Sequence, residues 1–225
     1  MRKDNFKSEI LINKVNKILK KIQNDPAIFE SIFTQLFEKD FNEQLDKINE
    51  LKEGKLKGLI ISVKDLFNVK GYKTRGGTKF INDGDAKQDA KCISLIRNAG
   101  GLLLGHTNMT ELAYSGLGIN PHYGTPSNPI FKNAVPGGST SGGALSIALG
   151  VSDITIGTDT GGSTRIPAAF TGITGFKPTQ DSISREGVLV LSTSLDSVGI
   201  MAKNVKLCRL GFETMRRYKN GQHIG

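Results

Sequence analysis

The stretch Ser139-Thr-Ser141-Gly-Gly-Ala-Leu-Ser-Ile-Ala-Leu149, continued by Asp153-Ile-Thr-Ile156 and by Gly157-Thr158-Asp159-Thr160-Gly161-Gly162-Ser163, decides the fold class. Residues 141–149 read as a helix and residues 153–156 as a short strand rich in β-branched side chains. A glycine-dense turn follows that strand directly. The same alternation runs upstream. Leu59-Ile-Ile-Ser-Val63 reads as a buried strand ending at Lys64, residues 88–99 as a helix stopped by Gly100-Gly101, and Leu102-Leu-Leu104 as the next strand. Strands alternating with helices imply an α/β layer architecture. Residues 106–140 are dense in Asn, Pro and Gly and read mostly as loop.

Two serines, Ser139 and Ser163, sit in separate glycine-rich turns. Glycine lets the backbone turn its N–H groups toward one point without steric cost. Ser163 is the candidate nucleophile, and the N–H groups of Thr160, Gly161, Gly162 and Ser163 are the candidate oxyanion hole. Ser139 is the candidate relay, because a hydroxyl can accept one proton while donating another. Read alone, Ser139 is more simply an N-cap or loop serine before the helix at Ser141, and its pairing with the Ser163 loop favours the relay.

Lys64 is the candidate general base. An exposed lysine stays charged at neutral pH, whereas burial without a carboxylate partner lowers its pKa. Its neighbour Asp65 would pair with it only if the chain left the extended form, since adjacent side chains on a strand face opposite ways. Asp159 and Arg165 flank the nucleophile. Arg165 can brace the loops or bind a substrate carboxylate, and bracing is the expectation. Asn108, Glu111, Asn120 and Tyr123 are expected to organise the loop above the site, their side chains either satisfying buried backbone groups or touching substrate.

The order of these blocks resembles the amidase signature family. The resemblance rests on Gly58 to Asp65, Gly105-His-Thr-Asn108-Met-Thr-Glu111, Asn120 to Pro129, the two serine loops, Gly172 to Pro178, and Ser194-Leu-Asp196-Ser-Val-Gly199. It implies a mixed β-sheet core flanked by helices, and a Ser-Ser-Lys mechanism acting on a linear amide C–N bond through an acyl-enzyme. It also implies an oxyanion hole over Thr160–Ser163, support of the loops by Ser141 and Thr158, and a cis peptide bond before Ser139. No cofactor is implied. Three functions stay open: a general amidase, the A subunit of an aminoacyl-tRNA amidotransferase, and an inactive fragment. The family's usual chain is longer. The expected catalytic domain, residues 55–205, is therefore incomplete at its C-terminus, with residues 206–225 a divergent tail. A partner subunit, or the remaining half of the fold on a second chain, would complete it.

Residues 1–54 are expected to form a helical layer. Ile10, Leu11, Val15, Ile18, Leu19 and Ile22 fall at helical spacing opposite a lysine-rich face. Asp25-Pro26 opens a second helix with an apolar stripe through Ile28, Phe29, Ile32, Phe33, Leu36 and Phe37. Asp40 restarts the helix and Gly54 ends it. The net charge of +9 comes from scattered lysines without interleaved aromatic residues, so a solvated surface is expected rather than a nucleic-acid interface. Cys92 and Cys208 form no C-x-x-C pair, and the three histidines lack metal-ligand spacing. No apolar run reaches the ~18 residues of a membrane span, and the default location is the cytoplasm.

Overall fold

The computed structural model describes residues 2–219 and 222–223. It opens with helix α1 (Arg2–Asn24), a single turn α2 (Pro26–Phe29), strand β1 (Phe33–Leu36) and helix α3 (Phe41–Glu50). Then come β2 (Ile60–Lys64), α4 (Lys91–Asn98), β3 (Leu102–Thr107), α5 (Ser141–Ala148), β4 (Ile154–Asp159) and α6 (Arg165–Phe170). Strands β5 (Thr174–Phe176) and β6 (Ser197–Ala202), helix α7 (Val205–Met215) and two short strands, β7 (Tyr218–Lys219) and β8 (Gln222–His223), complete it.

Six strands form one mixed sheet in the order β1-β3-β2-β4-β6-β5. The three central strands β3, β2 and β4 run parallel, and both flanks are antiparallel. All residues of β2, β3, β4 and β6 are buried. Helices cover both faces of this slab, as a sheet with parallel central strands requires. The alternation of side chains along a strand assigns the faces. Gly211 of α7 lies against Ile154 and Ile200, while Gly143 of α5 lies against their neighbours Thr155 and Met201. The two helices therefore sit on opposite sides. A Cβ at Gly143 would collide with the Thr155 methyl group, so glycine is what lets α5 approach so closely.

The N-terminal layer departs from the expected run of helices. Leu11, Val15, Ile18 and Ile22 are buried on one face of α1 as the spacing requires, and Lys14 on α1 pairs with Asp153 at 2.6 Å. The second helix, however, stops after one turn. Phe33–Leu36 extends as an edge strand antiparallel to β3, with Phe33 opposite Thr107 and Leu36 opposite Gly105. Aromatic and β-branched side chains suit a strand as well as a helical stripe, and the open backbone edge of β3 decides between them. Helix α3 ends at Glu50, before Gly54. The lack of a side chain at Gly54 instead makes room for the Ala99 carbonyl.

The boundary expected at 205/206 falls at the first residues of α7. Residues 206–215 are no loose tail. Cys208, Gly211 and Met215 are buried against the sheet, and Asn204 caps the helix by accepting from Leu207 N–H at 3.0 Å.

Candidate active site

Strand order 3-2-4 means that the chain leaves β2 to one side for β3 and returns to its other side for β4. Ligands of open α/β sheets collect outside the carboxyl ends of the strands at such a switch point. The ends that meet here are Lys64 on β2 and Asp159 on β4, with the Ser163 turn continuing from β4.

Lys64 is fully buried. Its Nζ donates to Ser139 Oγ at 2.7 Å and to Thr158 Oγ1 at 3.0 Å. Burial pushes its pKa down to about 7, against the opposing pull of the Asp159 and Asp196 carboxylates. Asp65 points elsewhere. It accepts from Thr34 Oγ1 at 2.8 Å and from Arg75 N–H at 3.0 Å, and burial raises its pKa. An amine buried among hydroxyls, with no carboxylate in contact, can lose its proton near neutral pH.

Ser139 follows a cis Gly138–Ser139 peptide bond and is fully buried at the mouth of α5. Its carbonyl accepts from Thr110 N–H at 3.0 Å, and Thr140 N–H donates to the Ser163 carbonyl at 3.3 Å. These backbone bonds hold the two serine loops side by side. Ser163 itself is 8% exposed, the small opening a nucleophile needs.

Asp159 and Arg165 shape the nucleophile turn. Arg165 donates from Nε to Asp159 Oδ2 at 3.0 Å and from Nη2 to Oδ1 at 2.9 Å, the bracing role expected of it. Asp159 also accepts from Gly162 N–H at 2.8 Å and Thr164 N–H at 3.2 Å. Burial alone would raise the pKa of Asp159. The Arg165 bonds and these two N–H groups outweigh it, and the net shift is downward. The Gly162 N–H, a candidate for the oxyanion hole, is already engaged by Asp159, whereas the N–H groups of Thr160, Gly161 and Ser163 have no other acceptor among the described residues.

Thr158 Oγ1 accepts from the Lys64 amine rather than bonding either serine. Ser141 does not support the serine loops in the expected way, because its buried Oγ makes no hydrogen bond. Asn108 donates to the Ser31 and Gly124 carbonyls, both at 2.8 Å, and Asn120 donates to the Gly77 and Met109 carbonyls at 2.8 and 2.7 Å. Tyr123 reaches the Thr78 carbonyl at 3.2 Å. These side chains organise the loop by pairing backbone groups. Glu111 instead pairs with His122 at 2.7 Å.

Asp196 is the functional residue to which sequence reasoning gave no role. One carboxylate oxygen accepts from Thr160 Oγ1 at 2.5 Å, and the other from Leu191 N–H and Ser192 N–H at 2.9 and 3.1 Å. It ties the nucleophile turn to the 189–192 loop. Its place in the motif Ser194-Leu-Asp196 was visible, but the acceptors' distant partners were not. Among the described residues no cluster of His, Cys, Asp and Glu could hold a metal.

The amidase family model matches residues 13–223. The chain belongs to the amidase family. It is 45% identical over 160 residues to the A subunit of glutamyl-tRNA(Gln) amidotransferase from Chromohalobacter salexigens, covering 71% of this chain and 33% of that protein. It is 37% identical over 198 residues to the protein of the same name from Methanococcus maripaludis, covering 88% of this chain and 46% of that one. A solved structure described simply as an amidase superimposes with TM-score 0.82 at 33% identity, over 97% of this chain and 51% of that chain. The glutamyl-tRNA(Gln) amidotransferase protein of Thermotoga maritima, again the A subunit, gives 0.71 at 27% identity, over 82% and 45%. The chain thus spans from a third to about half the length of the relatives it matches.

Proposed function

We propose that this protein hydrolyses a carboxamide C–N bond through an acyl-enzyme on Ser163, with Ser139 as relay and Lys64 as base. The observation that carries the reading is the buried, carboxylate-free Lys64 amine 2.7 Å from Ser139 Oγ. Neutral Lys64 takes the Ser139 proton as Ser139 takes the Ser163 proton, and Ser163 Oγ bonds to the carbonyl carbon. The oxyanion meets the N–H groups of Thr160, Gly161 and Ser163. Each such donor typically contributes about 3–4 kcal/mol to the transition state. The proton then returns through Ser139 to the leaving nitrogen, the C–N bond breaks, and ammonia departs with Lys64 neutral again. Water enters by the same relay and releases the carboxylic acid.

A second reading, the glutaminase component of a tRNA-dependent amidotransferase, is favoured by the names of the relatives at 37–45% identity. The two share the acylation step and differ in substrate and partner. The partner we propose is the remainder of an amidase fold, on this polypeptide or a second one, adding to the sheet at β5. Strand β5 is an edge of the sheet, and Phe170 and Phe176 beside it are partly exposed. A cytoplasmic setting belongs to the same reading. Both cysteines are buried free thiols, and among the described residues no helix is long and apolar enough to cross a membrane.

The test is covalent labelling with a fluorophosphonate, in which Ser163 Oγ displaces fluoride from phosphorus. An adduct on Ser163 that is lost in Lys64→Ala supports the reading. An unlabelled Ser163 in folded protein, or labelling indifferent to Lys64, overturns it.

A further inference from the structure

One residue beyond Lys64, the interior holds a second titratable pair that the proposed chemistry does not use. Asp65 and His106 are both fully buried. Their neighbours all belong to this chain, and no added segment can reach them. His106 stands on β3 opposite Val63, and side chains alternate along a strand. His106 and Asp65 therefore lie on the face turned away from Lys64.

The hydrogen-bond inventory of this pair is one proton short. His106 Nε2 lies 3.0 Å from the Phe67 carbonyl, which can only accept, so Nε2 carries a hydrogen. His106 Nδ1 faces Asp65 Oδ1 at 3.5 Å and has no hydrogen-bond partner. With a neutral ring and an ionised Asp65, two lone pairs would oppose each other in the core. A proton on Asp65 Oδ1 removes the conflict, because the acid then donates to Nδ1. Oδ1 still accepts from Arg75 N–H at 3.0 Å, and Oδ2 from Thr34 Oγ1 at 2.8 Å. A proton on His106 would instead create a buried ion pair, with two ions to desolvate.

Burial raises the pKa of Asp65 and lowers that of His106, so both groups lean to their neutral forms. Arg75, whose guanidinium donates to Gln35 Oε1 at 3.0 Å, favours a charge on Asp65 but opposes one on His106. Tyr123 also acts across to Asp65, and burial holds its hydroxyl neutral.

Asp65 joins the base to the relay. It is bonded to Lys64 along the chain, and its N–H donates to the Thr107 carbonyl at 3.1 Å. Its own carbonyl accepts from Gly76 N–H at 2.6 Å, and the Gly76 carbonyl accepts from Leu112 N–H at 2.8 Å. In the same turn as Leu112, Thr110 N–H donates to the Ser139 carbonyl at 3.0 Å. One residue thus fixes Lys64 directly and Ser139 through two short segments.

We propose that Asp65 is a neutral carboxylic acid donating to His106 Nδ1, and that this uncharged pair is the positioning element that holds Lys64 against Ser139 without placing an anion behind the base. The positioning role rests on the hydrolase reading above. A carboxylate one residue from Lys64 would favour the ammonium form. The protonated acid keeps the same bonds and removes that field.

Two measurements on the intact chain test this. Nitrogen NMR of the histidine rings reads the protonation state, with His106 assigned as the signal that survives in both His122→Gln and His223→Gln. His106 is expected to stay neutral, with its hydrogen on Nε2, from about pH 5 to 8. A doubly protonated His106 ring at neutral pH, or a hydrogen on Nδ1 of a neutral ring, overturns the proposal. The second measurement follows Ser163 labelling by the fluorophosphonate against pH. Asp65→Ala is expected to slow labelling at least about tenfold, since small misplacements of a reacting group cost rate steeply. Asp65→Asn is expected to recover the rate to within about threefold of wild type, because a carboxamide N–H donates to Nδ1 as the acid does. Its acid midpoint is expected to match that of wild type. A midpoint moved to lower pH would mean that a charge had been removed from Asp65, and overturns the proposal. So does an Asp65→Asn rate no better than that of Asp65→Ala. Should Asp65→Ala misfold, the nitrogen spectrum and the Asp65→Asn midpoint decide. An unlabelled wild type overturns the hydrolase reading and the positioning role with it, while the nitrogen spectrum still reads the pair by itself.

Discussion

Two buried ions end neighbouring parallel strands of this sheet, and the protein treats them in opposite ways. Asp159, at the end of β4, is saturated by a bidentate arginine and three backbone N–H groups, and its pKa falls. Lys64, at the end of β2, is equally inaccessible but meets only two hydroxyls, and burial takes its pKa down to about 7. The saturated ion fixes the geometry of the nucleophile turn and stays charged. The partner-poor ion can lose its charge and is free to move protons. On the proposed reading, adjacent positions on one sheet thus serve architecture and chemistry, and the difference lies in their hydrogen-bond partners rather than in depth.

Removing the partner-poor ion is the largest perturbation. Lys64→Met is expected to lower the Ser163 labelling rate by about 10²–10⁴-fold, the usual contribution of a general base. Initial-rate mass spectrometry reads it. Removing the saturated ion acts on structure instead. Asp159→Ala strands three backbone N–H groups and a guanidinium and is expected to cost about 3 kcal/mol of stability, measured by urea unfolding. The Asp159 contribution is complete above the ordinary carboxylate pKa of 3.8 and disappears as pH falls through its lower folded value.

The same contrast predicts a pH signature. A lysine whose folded pKa lies below its unfolded value of 10.5 binds fewer protons when folded, so it destabilises the fold most at low pH. The stability of wild type relative to Lys64→Met is expected to rise by about 1.4 kcal/mol per pH unit between about 7 and 10.5, and to be flat below that window. Parallel unfolding curves at several pH values check this. A lysine that stayed charged would give no slope there.

The smallest effect concerns Asp196. Its carboxylate helps hold the proton on Lys64, so Asp196→Asn is expected to move the acid limb of the labelling profile to lower pH by less than about one unit. A uniform loss of rate without that movement would mean that Asp196 acts only as a strut.

The chain's local patterns revealed much of this. Alternating strand and helix signals around Lys64, Leu102 and Ser141 located β2, β3 and α5, because each is a buried segment bounded by glycine or a cap. The edge strand Phe33–Leu36 escaped, because its apolar spacing fits a helix and only the distant open edge of β3 distinguishes them. Helix α7 escaped because two of the elements it packs on, β4 and α4, are far away in sequence. At the site, the serines and the lysine were legible from residue type and context. The engagement of Gly162 N–H by Asp159, the unpartnered Ser141 hydroxyl and the Asp196 strut depend on which way individual groups point. That direction is set by tertiary packing.

The account's central claim is that Lys64 is neutral where the protein works. The most direct test is an NMR titration of the lysine side-chain Cε resonances, with the Lys64 signal assigned by its absence in Lys64→Met. The account predicts a midpoint at about 7. A Lys64 signal that keeps its charged shift to pH 10 would contradict it.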